Sequence, residues 1–289
     1  MQRRAAIDRH IGSALGLDTM AAAEAIVRVA NSRMAGAIRL VSIERGHDPK
    51  RFIAMPFGGG GALHVCAMMR EVGVGVGIVP RYPGVTSALG CVMADMRHDA
   101  VQTLNQALDD LNLAQLQERL DSLAQSGQQR LDTAGVSFVR VEEQIGLDMH
   151  YVGQTHTLQV MLSRDALTPQ GIRAAFEATY QEAFGRLLHG PAIRVMNLRY
   201  ARIGVRPKFD LAMLAPKGAG STQTLGEQKV YHQGRWWDAK RYSRLELPVG
   251  AEIAGPAILE QLDTTLWLEP GFVAHVDRLG HLLIKSVKE

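Results

Sequence analysis

Four consecutive glycines, Gly58 to Gly61, carry the clearest chemical signal in this sequence. They follow the short apolar run Phe52 to Phe57 and precede Ala62 to Val72, whose composition is helical, so four peptides without side chains stand between a strand's carboxyl end and a helix's amino end. Glycine leaves its N–H unobstructed and accepts positive φ, and here it lies beside the partial positive charge of a helix terminus. That combination suits an anion or a nucleotide; it equally suits a tight strand-to-helix turn with no ligand. Two standard phosphate fingerprints fail. A dinucleotide G-x-G-x-x-G beginning at Gly58 needs glycine where Leu63 stands, and a Walker A loop needs a Gly-Lys-Ser/Thr that the sequence lacks.

His64 stands in the first turn after the loop, where a helix terminus disfavours imidazolium. A neutral imidazole there is placed either to hydrogen-bond ribose or phosphate or to pack against the sheet. His64 and Cys66 lie roughly 200° apart around a helix, so they cannot chelate one ion together. None of the ten histidines falls in metal-ligand spacing, and no metal site is expected. Gly84 to Ser87 form a second hydroxyl-bearing turn that either donates to the same ligand or caps its own helix. Glu260 to Thr265 group two carboxylates and two hydroxyls, as part of a site or as a polar turn between strands. His98 and Asp99 are adjacent, which alone makes no dyad. Without a G-x-S-x-G or an arguable Cys–His pair, no catalytic residue is identified.

The elements that must position the loop read as an α/β layer. Asp18 or Thr19 caps a long helix that runs to about Arg45 and is closed by Gly46. Asn31, Arg39 and Glu44 are its polar residues with access to a ligand, unless they form a solvated face. The turn His47-Asp48-Pro49 leads into strand, glycine loop, helix, strand, turn and helix. From Thr103 to about Arg130, Leu113, Leu116, Leu120 and Leu123 are spaced three, four, three, as in an amphipathic helix. Residues 101–134 are therefore expected to connect a first domain, 1–100, to a second, 135–289. The second reads as α+β and sheet-rich: strands over 137–147 and 150–161, a helix from Thr168-Pro169 to about Leu188 with Phe176, Tyr180 and Phe184 on one face, then short strands over 193–203, 228–237, 257–262, 265–268 and 272–276.

At 289 residues and 46% hydrophobic, the chain is globular and long enough for two cores. Its net charge of +3 arises from 32 basic and 29 acidic residues that are interspersed, and aromatics are only 6%, so no nucleic-acid partner is expected. Cys66 and Cys91 suit reduced thiols in a cytoplasm. Neither a signal peptide nor a membrane span is visible, since Asp8, Arg9 and His10 interrupt Ala5 to Leu17.

FGGGGALHVCAMMREVGV followed by IVPRYPGVTSALGCVMADMRHD resembles the hydantoinase A / 5-oxoprolinase segment usually seen as F-G-G-A-G-P-L-H-A and then V-P-x-x-P-G-x-x-S-A-L-G-x-x-x-A-D. The long helix is similar too, through Asn31, Met34, Ala35, Ala37, Ile38, Arg39, Ser42 and Gly46, and YVGQTHTL, MNLRYARIG, VYHQGRWW, GPAILEQLDTTLWLEPGF and VDRLGHLLI carry the resemblance through the second half. It departs at Gly60, where the family usually has alanine, and at Ala62, where it usually has proline; both loosen the loop. The resemblance implies a partial actin/sugar-kinase-like ATPase domain over 1–100, followed by the α+β carboxyl-terminal domain. It implies ATP with Mg²⁺ as cofactors, with Gly58, Gly59, Gly60, Gly61, His64, Asn31 and Glu44 toward the nucleotide. It implies ATP-dependent ring opening of a cyclic amide such as a hydantoin, 5-oxoproline or lactam, in a cytoplasmic hetero-oligomer with a hydantoinase B-like second subunit. Family members carry several hundred residues ahead of the position of Met1, including an Asp-x-Gly-Gly-Thr-like phosphate loop that this sequence lacks, so the chain is expected to be the carboxyl-terminal part of a longer subunit. Two alternatives stay open: an ATP-dependent ketone carboxylase subunit of the same family, and a non-catalytic assembly module with a vestigial loop.

Overall fold

The computed structural model describes residues 2–287. Two compact units emerge, one built from residues 2–92 with 210–287 and one from residues 93–209. The first unit opens on a broken helical run, α1 (Gln2–Ile7), a π-helical turn (Asp8–Gly12) and α2 (Ser13–Leu15), which ends at Gly16. Asp18 then caps α3 (Thr19–Val41), its carboxylate accepting the Met20 N–H at 2.8 Å and the Ala21 N–H at 2.9 Å. The helix stops four residues short of Arg45; Ile43–Arg45 form a 3-10 turn closed by Gly46 in the left-handed region. Next come β1 (Ile53–Ala54), a 3-10 turn (Gly61–His64), α4 (Val65–Val72), β2 (Val76–Val79) and α5 (Thr86–Met93). The strand expected over Phe52 to Phe57 is only two residues long, because Pro56 has no N–H to give and Phe57 leads into the positive φ of Gly58.

The second unit holds β3 (Met96–Ala107), α6 (Leu113–Asp132), β4 (Arg140–Tyr151), β5 (Leu158–Leu162), α7 (Pro169–Phe184) and β6 (Ile193–Val205). Its four strands form one antiparallel sheet in the order β3-β6-β4-β5. Segment 101–134 is thus not a bare link. Its first residues belong to β3, and α6 buries Leu116 and Leu120 in the sheet's core with Ile145, Leu147, Phe176 and Leu198. Two of the three aromatics expected on one face of α7 enter the core, where Tyr151 meets Phe176 and Tyr180 edge-on with centroids 4.9 and 4.8 Å apart, whereas Phe184, the last residue of the helix, lies exposed against Tyr180. His98 and Asp99 point to opposite faces of β3, and Asp99 pairs with Arg97 instead.

The chain then returns to the first unit as β7 (Gly226–His232), β8 (Arg235–Ser243), β9 (Glu252–Ala254), β10 (Ala257–Gln261), β11 (Thr264–Leu268), β12 (Phe272–Val276) and β13 (Leu282–Ser286). These strands make two sheets. One continues β1 and β2 in the order β1-β2-β13-β12-β9; the other is β11-β10-β8-β7. A single core lies between them, with Val65, Cys66 and Met69 from α4, Val79 from β2, Leu259, Leu266 and Leu268 from one sheet and Phe272, Ala274, Leu282 and Ile284 from the other. Residues from both ends of the sequence therefore share one core, so 135–289 is divided between the two units.

Two buried charges fasten this arrangement. Arg244, only 3% exposed, sends Nη1 to the Arg81 carbonyl at 2.5 Å and to the Gln261 side chain, and Nη2 to the Val79 carbonyl at 3.1 Å and to the Pro80 carbonyl. Burial, then the neighbouring Arg81 charge, pushes its guanidinium down to about 10. Glu269, also 3% exposed, receives Arg70 from α4 and His232 from β7, the latter at 3.3 Å. Burial by itself would raise this carboxyl, but the hydrogen bonds from His232 and Arg70 outweigh it and hold the group below the usual carboxylate range.

Replacing Arg244 by methionine keeps the apolar stem and strands its buried acceptors, each at a cost of about 1–3 kcal/mol. The expected loss, read by urea unfolding, is about 3 kcal/mol or more; a loss under about 1 kcal/mol would show that those carbonyls find other donors. For Glu269 the folded pKa lies below the unfolded one, so its stabilisation is complete above the unfolded value and is lost as pH falls through the folded value. The stability gap between wild type and Glu269→Gln should therefore be widest near neutrality and close below about pH 4 in melts run across pH.

Candidate functional site

The glycine loop is held from below by two segments, the turn at 83–85 and the β10–β11 turn. Gly58, at φ +80°, donates its N–H to the Pro83 carbonyl at 2.7 Å. The Gly59 carbonyl accepts the Thr264 hydroxyl at 2.9 Å, and a Cβ on Gly59 would stand 3.2 Å from the Asp263 carbonyl. Asp263 in turn fills the place a Cβ on Gly84 would need. The loop, the turn at 83–85 and the β10–β11 turn thus form one close-packed assembly in which each glycine has a separate reason. Gly60 is the exception. No atom lies within 4 Å of where its Cβ would be, its backbone is in the ordinary right-handed region, and the N–H groups of Gly59 and Gly60 take no hydrogen-bond partner. Residues 260–265 are the polar turn between strands, with Glu260 paired to Arg241 at 2.7 and 3.0 Å.

Immediately after the loop, the chain turns toward a cavity of about 790 Å³ within the first unit. One wall is the amino-terminal half of α3, another is Leu63, His64, Ala67, Arg70 and Glu71, and the third is the outer face of the β11-β10-β8-β7 sheet with the β7–β8 turn. Strand alternation explains that third wall: Leu259, Leu266 and Leu268 enter the core, while Ile258, Thr265 and Trp267 face the other way. The turn residues Gln233 and Gly234, both at positive φ, give their N–H groups to the Glu24 carboxylate and so tie the hairpin to α3. At the far end stands the Glu269 cluster, with the His232 ring edge-on to Trp267 at 5.8 Å. Arg39 closes α3 onto α4 through the Glu71 carbonyl at 2.6 Å.

His64 and Asn31 meet at the cavity wall, Nδ1 to Oδ1 at 2.8 Å. As the Asn31 amide is oriented, its oxygen only accepts, so His64 carries its proton on Nδ1 and offers the Nε2 lone pair. Arg28 also lines the cavity and has no hydrogen bond or ion pair among the described residues. Cys66 is excluded as a nucleophile at neutral pH: burial pushes its thiol up to about 12, and its Sγ contacts the Trp267 carbonyl at 3.7 Å.

The structure therefore brings Asn31 and His64 together, places Gly58 to Gly61 two residues ahead of the cavity wall, and leaves Glu44 apart, exposed on the 3-10 turn beyond the end of α3. Glu24, Arg28, His232, Trp267 and Glu269 were not read from the sequence. Glu24 and Arg28 carried no local signal; His232 was hidden because residues 228–237 read as one strand, although Gln233-Gly234 is a two-residue hairpin turn. Among the described residues no group of three His, Cys, Asp or Glu side chains converges to hold a metal ion, and no helix is long and apolar enough to cross a membrane.

Two family profiles match the chain in succession, their boundary falling within β3 and not between the two compact units. A hydantoinase/oxoprolinase family profile matches residues 2–100 and the hydantoinase/oxoprolinase C-terminal domain profile matches residues 102–287. The chain is 31% identical over 291 residues to caprolactamase subunit alpha of Pseudomonas jessenii, covering 96% of this chain and 42% of that protein. The crystal structure of ATP-dependent caprolactamase from the same organism superposes with a TM-score of 0.72 at 28% identity, over 99% of this chain and 42% of that one. The nucleotide-free structure of acetone carboxylase, from work on ATP-dependent acetone carboxylation, gives 0.73 at 25% identity, over 99% and 43%. 5-Oxoprolinase 1 of Arabidopsis thaliana is 27% identical over 267 residues, 90% of this chain and 20% of that protein. The chain spans about two-fifths of the caprolactamase subunit. With both halves of its sequence matched in order and its fold shared with two solved relatives, this chain belongs to the hydantoinase/oxoprolinase family.

Proposed function

We propose that the chain is the nucleotide-binding part of an ATP-dependent enzyme that opens a cyclic amide, acting with a hydantoinase B-like second subunit. The observation that carries this reading is the free donor edge of the glycine loop. Gly59 and Gly60 present two consecutive N–H groups without a partner among the described residues, with open space at Gly60, on a loop whose underside is fixed by Pro83, Asp263 and Thr264. Fixed donors of this kind lower the barrier to phosphoryl transfer by meeting developing negative charge without reorganising. The similarity to an ATP-dependent caprolactamase and to a 5-oxoprolinase supports the substrate class.

In this reaction the amide oxygen takes the γ-phosphoryl group and ADP leaves; water adds to the activated carbon, the C–N bond opens and phosphate departs. Mg²⁺ enters with the nucleotide phosphates. Gly58 to Gly61 position the nucleotide, with Asn31 holding His64 in one tautomer at its edge. Glu44 has no part in this arrangement. The similarity to acetone carboxylase favours a second reading, in which the same activation is applied to a ketone enol before carboxylation.

Calorimetric titration of the chain with Mg-ATP tests the loop. Gly60→Ala should bind as wild type with stability changed by less than about 0.5 kcal/mol, since nothing crowds the position. Gly60→Val should fold equally well yet weaken nucleotide binding by about tenfold or more by covering the donors. Gly58→Ala should instead cost about 1–2 kcal/mol of stability, because alanine resists φ +80°. Equal binding by wild type and Gly60→Val would remove the loop from the nucleotide site, and ring opening by the assembled subunits without ATP would overturn the reading.

A further inference from the structure

The long helix α3 serves the cavity with one face only. Met20, Ala23, Glu24, Val27 and Asn31 line it. At about 100° per residue, Ile26, Val29, Arg33, Ala37 and Leu40 fall within about 80° of one another on the far side of the helix. A stripe of that spacing and composition ordinarily faces a core. Here Ile26, Val29 and Leu40 are 42%, 56% and 55% exposed, and Arg33 and Ala37 are exposed with them. The surface runs on past the helix. Val41 and Ile43 are more than half exposed, and so is Phe52, whose ring meets His47 edge-on at 6.0 Å just beyond the end of α3.

Side chains of this size left about half exposed offer roughly 80–100 Å² each, so the surface, Arg33 and Ala37 included, amounts to about 700 Å². That exceeds the roughly 300–600 Å² of the largest apolar patch on a typical monomer and approaches the about 800 Å² that each partner brings to a standard interface. The pattern says what fits. Its spacing of three, four, four, three about Arg33 reads the same from either end. An antiparallel copy of the helix therefore sets Ile26 against Leu40 and Val29 against Ala37 in both halves at once, as a two-fold axis requires. A partner of unrelated sequence needs no such symmetry. Ala30, Gly36 and Ala37 are small enough for two helix axes to come within about 8 Å. Arg33 alone meets its own copy. Its stem can lie along the stripe with its head in water, but the two like charges oppose the pair when salt is low.

We propose that the exposed stripe of α3 is a two-fold interface on which a second copy of this chain docks antiparallel, through Ile26, Val29, Ala37 and Leu40. The inference concerns assembly and does not rest on the nucleotide reading of the glycine loop.

Sedimentation equilibrium of the chain tests it, and the expected species has twice the 31.6 kDa of one copy. Leu40→Glu and, separately, Val29→Glu should give monomers with an unchanged far-UV circular dichroism spectrum, since both positions face solvent in the single chain. Arg33→Leu should tighten the dimer by about tenfold or more, and added salt should tighten wild type but not Arg33→Leu. Disulfide trapping reads the register. With the exposed Cys91 replaced by serine, Ile26→Cys and Leu40→Cys should cross-link when the two variants are mixed, and neither should cross-link alone. A monomeric wild-type chain overturns the assignment and leaves this face to a different polypeptide, such as the part of caprolactamase subunit alpha that this chain does not span. A dimer that survives both glutamate substitutions, or cross-links formed by either cysteine variant alone, overturns it as well.

Discussion

The seat of the glycine loop rests on the guanidinium of Arg244, which grips the carbonyls of Val79, Pro80 and Arg81 from 163 to 165 residues away in sequence. A strand end normally leaves its last carbonyls to water or to a cap. Here one side chain takes three of them, together with Gln261 from the β10–β11 turn. The turn that follows is thereby fixed, and Pro83 in that turn anchors Gly58. Because the group is buried, its hydrogen bonds are strong and its loss would be expensive; the uncompensated Nε shows that the arrangement tolerates one unmet donor to keep the others.

The cavity follows from a different constraint. A sheet of four strands has two faces, and only one of them is needed to close the core with the five-stranded sheet. The other face would be solvated if β7–β8 were not drawn toward α3 by Glu24. Tying the hairpin tip rather than its middle leaves a hollow under it. The Glu269 cluster closes the α4 side, its buried carboxylate engaged by Arg70 from α4 and His232 from β7.

What was legible in the sequence was local. Asp18 as a cap, Gly46 as a terminator and Thr168-Pro169 as the start of α7 each announce themselves within a few residues, and the structure has them, whereas the alternation expected over 137–147 and 150–161 gives way to β4 with residues 145–149 buried in succession and a separate β5 at Leu158–Leu162. β3 was not seen, although its burial alternates from Met96 to Gln106, because His, Gln, Thr and Asn occupy it and its apolar residues are few. The short β9 and the hairpin at Gln233 were missed for the same reason: nothing nearby distinguishes them from a loop or a longer strand. The closure of one sheet by strands from both ends of the chain lies beyond any local pattern. So does half of the site: the glycines and the Asn31–His64 pair could be named, whereas Glu24, Arg28, His232 and Glu269 acquire meaning only once α3, α4 and β7 meet.

The 3-10 turn at Gly61–His64 joins these two constraints. An α-helix starting at Gly61 would carry His64 about 100° per residue around its axis; the tighter turn carries it further and sets its imidazole against Asn31. Proline at position 62 would stiffen this entry, but Ala62 is wholly buried in the core between the sheets, where the smaller side chain lets α4 settle against Leu266 and Leu268. Looseness that the sequence alone suggests is therefore removed by packing. The Gly60 N–H, without a partner among the described residues, and the His64 ring that Asn31 holds stand four residues apart on a backbone that the core fixes through Ala62 and Val65.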